Sequence, residues 1–382
     1  MRIAAFNVEN LFDRAKVFND VNPGDENPHQ GILDAHAELS GLFEKPVYTS
    51  ADKERMLVLM DALGILNANE STFVRLRRIR GKIIRRPRDR ALAREIVANG
   101  RDNWVGWVEL KTEPVDEIAM ELTARVLFDC EADIIGVVEA ENRVVLKNFQ
   151  TMMSGKFGVI ERYANIMLID GNDRRGIDVA LGTTADYPIG WMRSHVNEVK
   201  DGLPVFSRDC PEFEVTTPGG DKIVVLVNHF KSKFGGDSPE SRGKRRNQAE
   251  AVAGYYARLL SEGYDNVAVI GDLNDLPDSA PLGPLRATSL RDVVDHDAFT
   301  DFEFRADNGN RGIGTHKLGN DNTKIDYLML SPALFSRVTN AGLFRKGAWP
   351  GSRPQRWEVY PDLTRPHHAA SDHHLVFADI DI

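Results

Sequence analysis

Cysteine is nearly absent from this chain: among 382 residues only Cys130 and Cys210 carry thiols. Two isolated thiols exclude a disulfide framework and a cysteine-based zinc site. Cys130, at the end of an apolar helix-like run, reads as a small core residue. No apolar run approaches the length of a membrane span. Nor does a charged leader, an apolar stretch and a cleavage site precede the first strand-like segment at Arg2. The expectation is a cytoplasmic protein with no membrane segment. A Walker-type phosphate loop and a dinucleotide-type glycine pattern are both missing, which removes the common nucleotide-binding routes. No internal repeat is evident, so a solenoid is not expected.

An overall positive charge is lacking too. Lys and Arg number 48 against 57 Asp and Glu, a net charge of −9, so the bulk electrostatics carry no sign of nucleic-acid binding. The positive charge that is present is concentrated. Between Arg75 and Arg101 stand eleven basic residues, among them Arg78, Arg80, Lys82, Arg85 and Arg88, against only Asp89 and Glu95. Phe73, Val74, Leu76, Ile79, Ile83 and Ile84 interleave with them. Periodicity leaves open whether this is a strand–turn–strand or an amphipathic element. The charges either grip a phosphate backbone, through counterion release and charge-assisted contacts, or form a solvated face paired with the acidic stretch from Glu109 to Glu121.

What the chain does contain is an ordinary hydrophobic share, 42%, enough for one large domain or two average ones. Short apolar runs that read as buried strands recur at 2–6, 133–138, 175–181, 222–227, 266–270, 325–330 and 375–378, with helical spacing between them at 51–66, 112–129 and 247–260. Residues 13–50, rich in Asp, Asn, Pro and Gly, read as an irregular loop, and 235–246 as another.

Most of the strand-like runs share one feature: they are followed or interrupted by a polar residue with useful chemistry. Asn7 and Glu9 follow the first, Glu139 the second, and Asn228-His229 the fourth, with Lys231 close behind. Gly271-Asp272-Leu273-Asn274 breaks the fifth; the glycine allows a tight exit, and residues two apart can share one side of an extended segment. Asp326 lies within the sixth, where a buried carboxylate requires a partner, and a histidine is expected. Ser371-Asp372-His373 feeds the last. Carboxylates gathered from separate strand ends suit a hard divalent cation, which takes oxygen ligands. His367, His368, His373 and His374 also admit a histidine metal cluster, the less favoured reading because the carboxylates already supply a hard-metal site. Glu141 is a less certain neighbour of Glu139.

In their order along the chain these motifs resemble the endonuclease/exonuclease/phosphatase superfamily, the deoxyribonuclease-like fold, and its bacterial nuclease-type members in particular. The resemblance covers 1–12 and most of 130–382. It rests on Asn7, Glu139, Gly271 to Asn274, Asp326-Tyr327 and Ser371 to His373. It implies an α+β chain folded as a four-layer α/β/β/α sandwich, two mainly antiparallel sheets flanked by helices. The whole of 1–382 would be one such domain, carrying a long insertion at about 13–129 that includes the basic stretch 75–101. His229 matches the nuclease and sphingomyelinase branches rather than the abasic-site repair enzymes, which carry Tyr there. Thr323-Lys324-Ile325-Asp326 departs from the Trp-Cys-Asp-Arg of inositol-polyphosphate phosphatases.

The resemblance further implies a metal-dependent phosphoric ester hydrolase that uses Mg²⁺, with Mn²⁺ able to substitute. Asn7, Glu9, Glu139 and Asp372 would form the metal side. Asp272 would position or deprotonate the attacking water, Asn274 orient the phosphate, and His373, its tautomer set by Asp326, contact a non-bridging oxygen, with His229 a further catalytic residue. Lys231, Arg175, Arg78 and Arg85 are the candidate substrate contacts. Nucleic acid is the leading substrate, and the insertion is either a nucleic-acid clamp or a partner-binding element. A phosphatase or phosphodiesterase acting on a small molecule or lipid headgroup, and a non-catalytic binding protein on the same fold, are the alternatives.

Overall fold

The computed structural model describes residues 1–9, 11–18, 29–89, 92–157, 161–173, 176–233, 237–300, 312–352 and 355–382. Their packing divides into two units. The first comprises Met1–Phe12, Val115–Ser232 and Ser238–Ile382, and the second Asp13–Pro114 with Lys233–Asp237.

In the first unit, strands β1 (Arg2–Asn7), β2 (Ile134–Ala140), β3 (Asn165–Leu168), β4 (Asp178–Thr183), β5 (Ile189–Arg193), β6 (Glu212–Thr216), β7 (Lys222–His229), β8 (Val267–Asp272), β9 (Arg291–Asp292), β10 (Phe299–Thr300), β11 (Asp326–Leu330), β12 (Val338–Phe344) and β13 (Leu375–Ile380) build two sheets. The seven-stranded sheet runs β10-β12-β13-β1-β2-β4-β3, and the six-stranded sheet β5-β6-β7-β8-β11-β9. Most neighbours are antiparallel, but β1–β2, β7–β8 and the short edge pair β10–β12 are parallel. In each parallel pair both strands deliver their C-terminal residues to the same edge of the sheet.

Period-two alternation dictates the layers. Ile3 and Ala5 of β1 join a core with Val225, Val227, Ala268, Ile270 and Leu328 of the second sheet. Ala4 and Phe6 point the other way, into a core with Leu122, Val126 and Leu127 from one helix and Leu146, Phe149 and Met153 from another. The second sheet repeats the pattern: Val224, Leu226, Val267 and Val269 pack on Val252, Tyr256 and Leu259 of a long helix. The layers are therefore helices, sheet, sheet, helix, the expected four-layer sandwich. Cys130 and Cys210 are buried free thiols in two of these cores.

The second unit has a core of its own. Helices α1 (Gln30–Glu44) and α2 (Ser50–Ala62) pack with an antiparallel ribbon, Val74–Gly81 against Trp104–Leu110. Leu39, Phe43, Met56, Met60, Trp104 and Val108 fill it. Trp104 is fully buried, its ring 4.6 Å from that of Phe43. The expectation of an irregular loop over 13–50 does not hold: α1 buries Leu33, Ala35, Leu39 and Phe43 at helical spacing. Thr49 caps α2 in a reciprocal pair with Asp52, which closes two otherwise orphaned backbone donors.

Two other boundaries move. The helix expected over 112–129 begins only at Glu117, capped by Asp116, after an extended Thr112–Pro114; as α3 (Glu117–Asp129) it packs within the first unit. The helix α4 (Arg143–Phe157) follows β2, and α5 (Pro239–Ser261) starts well before the expected Asn247. Ser238 caps α5 and Pro239 occupies its first turn, a favoured helix start. The described residues of the basic stretch resolve into the ribbon strand, a short antiparallel pair of Ile84–Arg85 with Glu95–Ile96, and turns. Its charge is partly answered at once: Arg75 meets Glu70 at 2.9 Å, Arg77 meets Glu109 at 2.6 Å, and Arg85 pairs with Glu95.

Candidate active site

The site is built from residues at the ends of strands in both sheets. β1 and β2 run side by side, with Asn7 opposite Val138. Beyond Asn7 the chain turns back: Asn7 Oδ1 accepts the Glu9 amide at 3.0 Å, and Glu9 takes a positive φ of 50°. In β2 the register against β4 slips, Val179 facing Val138 and Asp178 facing Ala140. Glu139 is the extra residue, a β-bulge with φ 68°. Bulges re-aim side chains at sheet edges, and this one turns Glu139 Oε1 to within 3.6 Å of His229 Nε2, at the end of β7 in the other sheet.

The second sheet supplies the rest. His229 faces Asp272 across the parallel β7–β8 pair, and Asp272 faces Asp326 across the antiparallel β8–β11 pair. Gly271, with φ 118°, is required between them, because a Cβ there would lie 2.1 Å from the Asn228 carbonyl oxygen. Asp272 Oδ1 accepts the Asn274 amide at 2.8 Å, closing a tight loop in which Asn274 has φ 52° and donates its side-chain amide to the Phe230 carbonyl at 3.2 Å. Asp272 Oδ2 lies 3.3 Å from Asn7 Nδ2 and 3.8 Å from His229 Nε2, so the two sheets meet at this carboxylate. The histidine expected beside Asp326 is His373, with Nδ1 at 2.8 Å from Asp326 Oδ2. Thr315 Oγ1 accepts the Asp326 amide at 2.9 Å, and Ser371 Oγ that of His373 at 3.0 Å, which fixes both backbones.

Burial and like charge dominate the electrostatics. Burial, reinforced by the facing Asp326, pushes the Asp272 carboxyl up to about 8. Burial works against a charged His373, yet Asp326 prevails and holds its imidazolium well above the ordinary histidine range. Asp372 is the opposite case. Burial would raise it, but His316, whose Nε2 lies 3.0 Å from Asp372 Oδ2, holds it below the usual carboxylate range. Two carboxylates facing each other in a buried site, with the oxygens of Glu139, Asn7 and Glu9 at the adjoining strand ends, fit a hard divalent cation. Ligand atoms of Asp272, Asp326 and His373 lie within 4.8 Å of one another, as do those of His316, Asp372 and His373.

The structure thus brings together His229, Asp272, Asn274, Asp326, His373, Asn7 and Glu139, with Glu9 and Asp372 joined to them by the Asp372 amide donating to Glu9 Oε2 at 3.2 Å. Lys231 follows the end of β7, its amide held by Gln248 at 2.8 Å and its ammonium 3.2 Å from the Ser232 carbonyl. Arg175 lies outside the described residues, while Arg78 and Arg85 belong to the second unit. Glu141 takes a structural position, accepting the amides of Leu11 and Phe12 at 3.0 and 2.9 Å. The four-histidine cluster is not formed: His373 is claimed by Asp326, and His374 Nε2 meets the Lys317 carbonyl at 2.9 Å. Sequence reading missed His316, which no strand-like run precedes; a β-bridge with His373 brings it to the site.

The sequence model of the endonuclease/exonuclease/phosphatase family matches residues 89–346. The chain belongs to this family. Members of the family are phosphoester hydrolases. Similar solved structures include an endonuclease/exonuclease/phosphatase from Bacteroides vulgatus (15% identity over 70% of this chain and 91% of that one, TM-score 0.48). The human Nocturnin catalytic domain has 13% identity over 70% of this chain and 88% of that one, TM-score 0.48. Truncated Caenorhabditis elegans TDP2 has 17% identity over 68% and 90%, TM-score 0.43. No curated protein matches the chain by sequence. No helix among the described residues is long and apolar enough to cross a membrane.

Proposed function

We propose that this member of the endonuclease/exonuclease/phosphatase family is a divalent-metal-dependent phosphodiesterase that cuts nucleic acid by attack of water on phosphorus. The observation that carries the reading is the buried carboxylate of Asp272. It is pushed up to about 8, it faces the Asp326–His373 pair, and it lies within reach of His229 and Asn7. A carboxylate whose proton affinity is raised toward neutrality is suited to act as a general base.

Glu139, Asn7 and Glu9 would hold Mg²⁺ or Mn²⁺, with Asp372 as a further carboxylate on that side. When bound, the cation polarises the phosphoryl oxygen and neutralises charge on the leaving oxygen. The protein's own groups do the rest. Asp272 orients the attacking water through Oδ2 and takes its proton. Asn274 Nδ2 has one hydrogen committed to Phe230, at 3.2 Å, and the other remains for a non-bridging phosphate oxygen. His373 donates from Nε2 to a second non-bridging oxygen, while Asp326 at 2.8 Å keeps the proton on Nδ1 and stabilises the imidazolium. His229 Nε2, set between Glu139 and Asp272, donates where negative charge builds on the phosphoryl group.

Lys231 and Arg175 would neutralise phosphates flanking the scissile one. For Arg78 and Arg85 we propose contacts with further phosphates of a polynucleotide, and of the two Arg78 is the better placed, being exposed whereas Arg85 is held by Glu95. The local excess of basic residues over 75–101 favours a polyanion over a small ester.

A cleavage panel tests the reading. Supercoiled plasmid, linear duplex, single-stranded DNA, RNA and small phosphoesters are each offered with Mg²⁺, Mn²⁺ or EDTA. Metal-dependent cutting of a polynucleotide, lost in Asp272→Ala and in His373→Ala, is the expected result. Activity on small phosphoesters alone would overturn the nucleic-acid part. Full activity of both variants would overturn the assignment of the site.

A further inference from the structure

Two histidines that take no part in the active site, His367 and His368, meet an aspartate elsewhere in the same unit. Asp116 caps α3, its Oδ1 accepting the Ile118 amide at 2.8 Å, and Oδ2 has no hydrogen-bond partner among the described residues. His367 and His368 sit in a single 3-10 turn, Pro366–His368, with their rings 4.5 Å apart and nearly perpendicular at 84°. One ligand atom from each of Asp116, His367 and His368 lies within 4.8 Å of the other two. His368 is buried, and its Nδ1 meets the Thr364 hydroxyl at 3.2 Å. A hydrogen bond on one ring nitrogen is what orients a metal-binding imidazole and leaves the other nitrogen for the ion. His367 is exposed and has no hydrogen-bond partner among the described residues.

We propose that Asp116, His367 and His368 form a second, non-catalytic site for a transition-metal dication, Zn²⁺ in the first instance. Two imidazoles and one carboxylate are a borderline-soft donor set. Such a set takes Zn²⁺, Co²⁺ or Ni²⁺ in preference to Mg²⁺, whereas the oxygen-rich strand ends of the active site suit the hard ion. Three protein ligands leave at least one position for water, so the site is open and binds less tightly than a closed four-ligand site. The N-terminal end of α3 opposes a cation through its dipole, and the charge of Asp116 offsets this.

The site has a defined mechanical consequence. Thr123 of α3 donates to the Ala370 carbonyl at 2.9 Å, so the segment leading to Asp372 and His373 already docks on this helix. A metal held by Asp116 and both histidines adds a second tie between α3 and that segment. It therefore raises stability without entering the chemistry.

The test titrates the full chain with Zn²⁺ in the presence of excess Mg²⁺, following binding by calorimetry and thermal stability in parallel. The expected result is one Zn²⁺ per chain and a rise in Tm. Both should survive in Asp272→Ala, and His367→Ala should weaken binding at least tenfold and abolish the Tm rise. Asp116→Asn should do the same while folding normally, because asparagine caps a helix as well as aspartate does. No Zn²⁺ binding by the wild type would overturn the proposal. So would binding and a Tm rise unchanged in His367→Ala and Asp116→Asn, or lost in His373→Ala, which would place the ion at His316, Asp372 and His373.

Discussion

Replacing Asp272 with asparagine isolates the charge that the site stores between two facing carboxylates. The Asp272 carboxyl moves from 3.8 to about 8 on folding, through burial first and the charge of Asp326 second. At about 1.4 kcal/mol per pH unit, that shift is on the order of 5 kcal/mol of unfavourable ionisation at alkaline pH. The charge of the neighbouring His373 works against this shift, so we assign roughly half, ~2 to 3 kcal/mol, to what the substitution itself removes. The sign follows from proton counting. Between about pH 4 and pH 8 the folded state holds a proton on Asp272 that the unfolded chain has lost, so stability falls as pH rises. His373 has the same sign: its folded value lies above the ordinary histidine range, and its contribution is lost as pH rises through that value. The assay is urea unfolding in EDTA, followed by tryptophan fluorescence, at about pH 5 and about pH 8.5. Wild-type stability should drop between the two, and Asp272→Asn should drop less by ~2 kcal/mol or more. Only the slope is diagnostic, because the new amide nitrogen would face the Asn7 Nδ2 donor, 3.3 Å away in the wild type, at a cost that does not depend on pH. Mg²⁺ should stabilise the wild type more at the alkaline end, since a cation favours the ionised carboxylates. Parallel pH profiles for wild type and variant would refute the electrostatic account of the site.

Two further predictions address other parts of the chain. Gly271→Ala should lower stability by about 3 kcal/mol or more, read as a fall in Tm, because a Cβ would lie 2.1 Å from the Asn228 oxygen at a φ of 118°; an unchanged Tm would mean that the loop holding Asp272 has room to move. In the basic stretch, Arg78 and Lys82 are exposed, whereas Arg75, Arg77 and Arg85 are engaged by carboxylates. Charge reversal of Arg78 and Lys82 together should reduce the salt slope of polynucleotide binding by about two while sparing hydrolysis of a small phosphodiester, and equal loss on both substrates would point to misfolding instead.

How much could be read from the sequence follows from where the information sits. Glu139, His229, Asp272 and Asn274 each follow or end an apolar run, and apolar runs are the most legible feature of a buried strand. Asp326 called for a partner on grounds of burial alone, and His373 fills that place at 2.8 Å. What could not be read depends on contacts distant in sequence. His316 reaches the site only through its bridge to His373, and nothing in Gly314-Thr315-His316-Lys317 announces it. The ribbon stayed ambiguous for a local reason. Its register slips between Arg78, opposite Gly106, and Arg80, opposite Val105, so Ile79 is an extra residue and the period of two is broken where it was being read. Helix α1 was obscured by the Asp-, Asn- and Pro-rich stretch just before it, although Leu39 and Phe43 keep helical spacing.

The backbone gives an independent reason to regard these strand ends as a site. Among the described residues, the non-glycine positions with positive φ are Glu9, Glu131, Glu139, Asp201, Asn274 and Lys317. Three of them, Glu9, Glu139 and Asn274, belong to the candidate site, and a fourth, Lys317, adjoins His316. Each such residue costs on the order of 1 kcal/mol or more and persists only where its surroundings over-determine it. Turns alone do not demand them here, since glycine would take the same conformation without that cost. What glycine cannot supply is a carboxylate or a side-chain amide pointing inward, and that is what Glu139 and Asn274 present, the one facing His229 at 3.6 Å and the other donating its Nδ2 to the Phe230 carbonyl at 3.2 Å. Asp326 escapes this strain because ordinary strand alternation already sets it opposite Asp272. The strain therefore falls on the residues whose side chains must leave the direction that the pleat would give them. That distribution is hard to account for by folding stability alone, and it follows directly if function selects the direction.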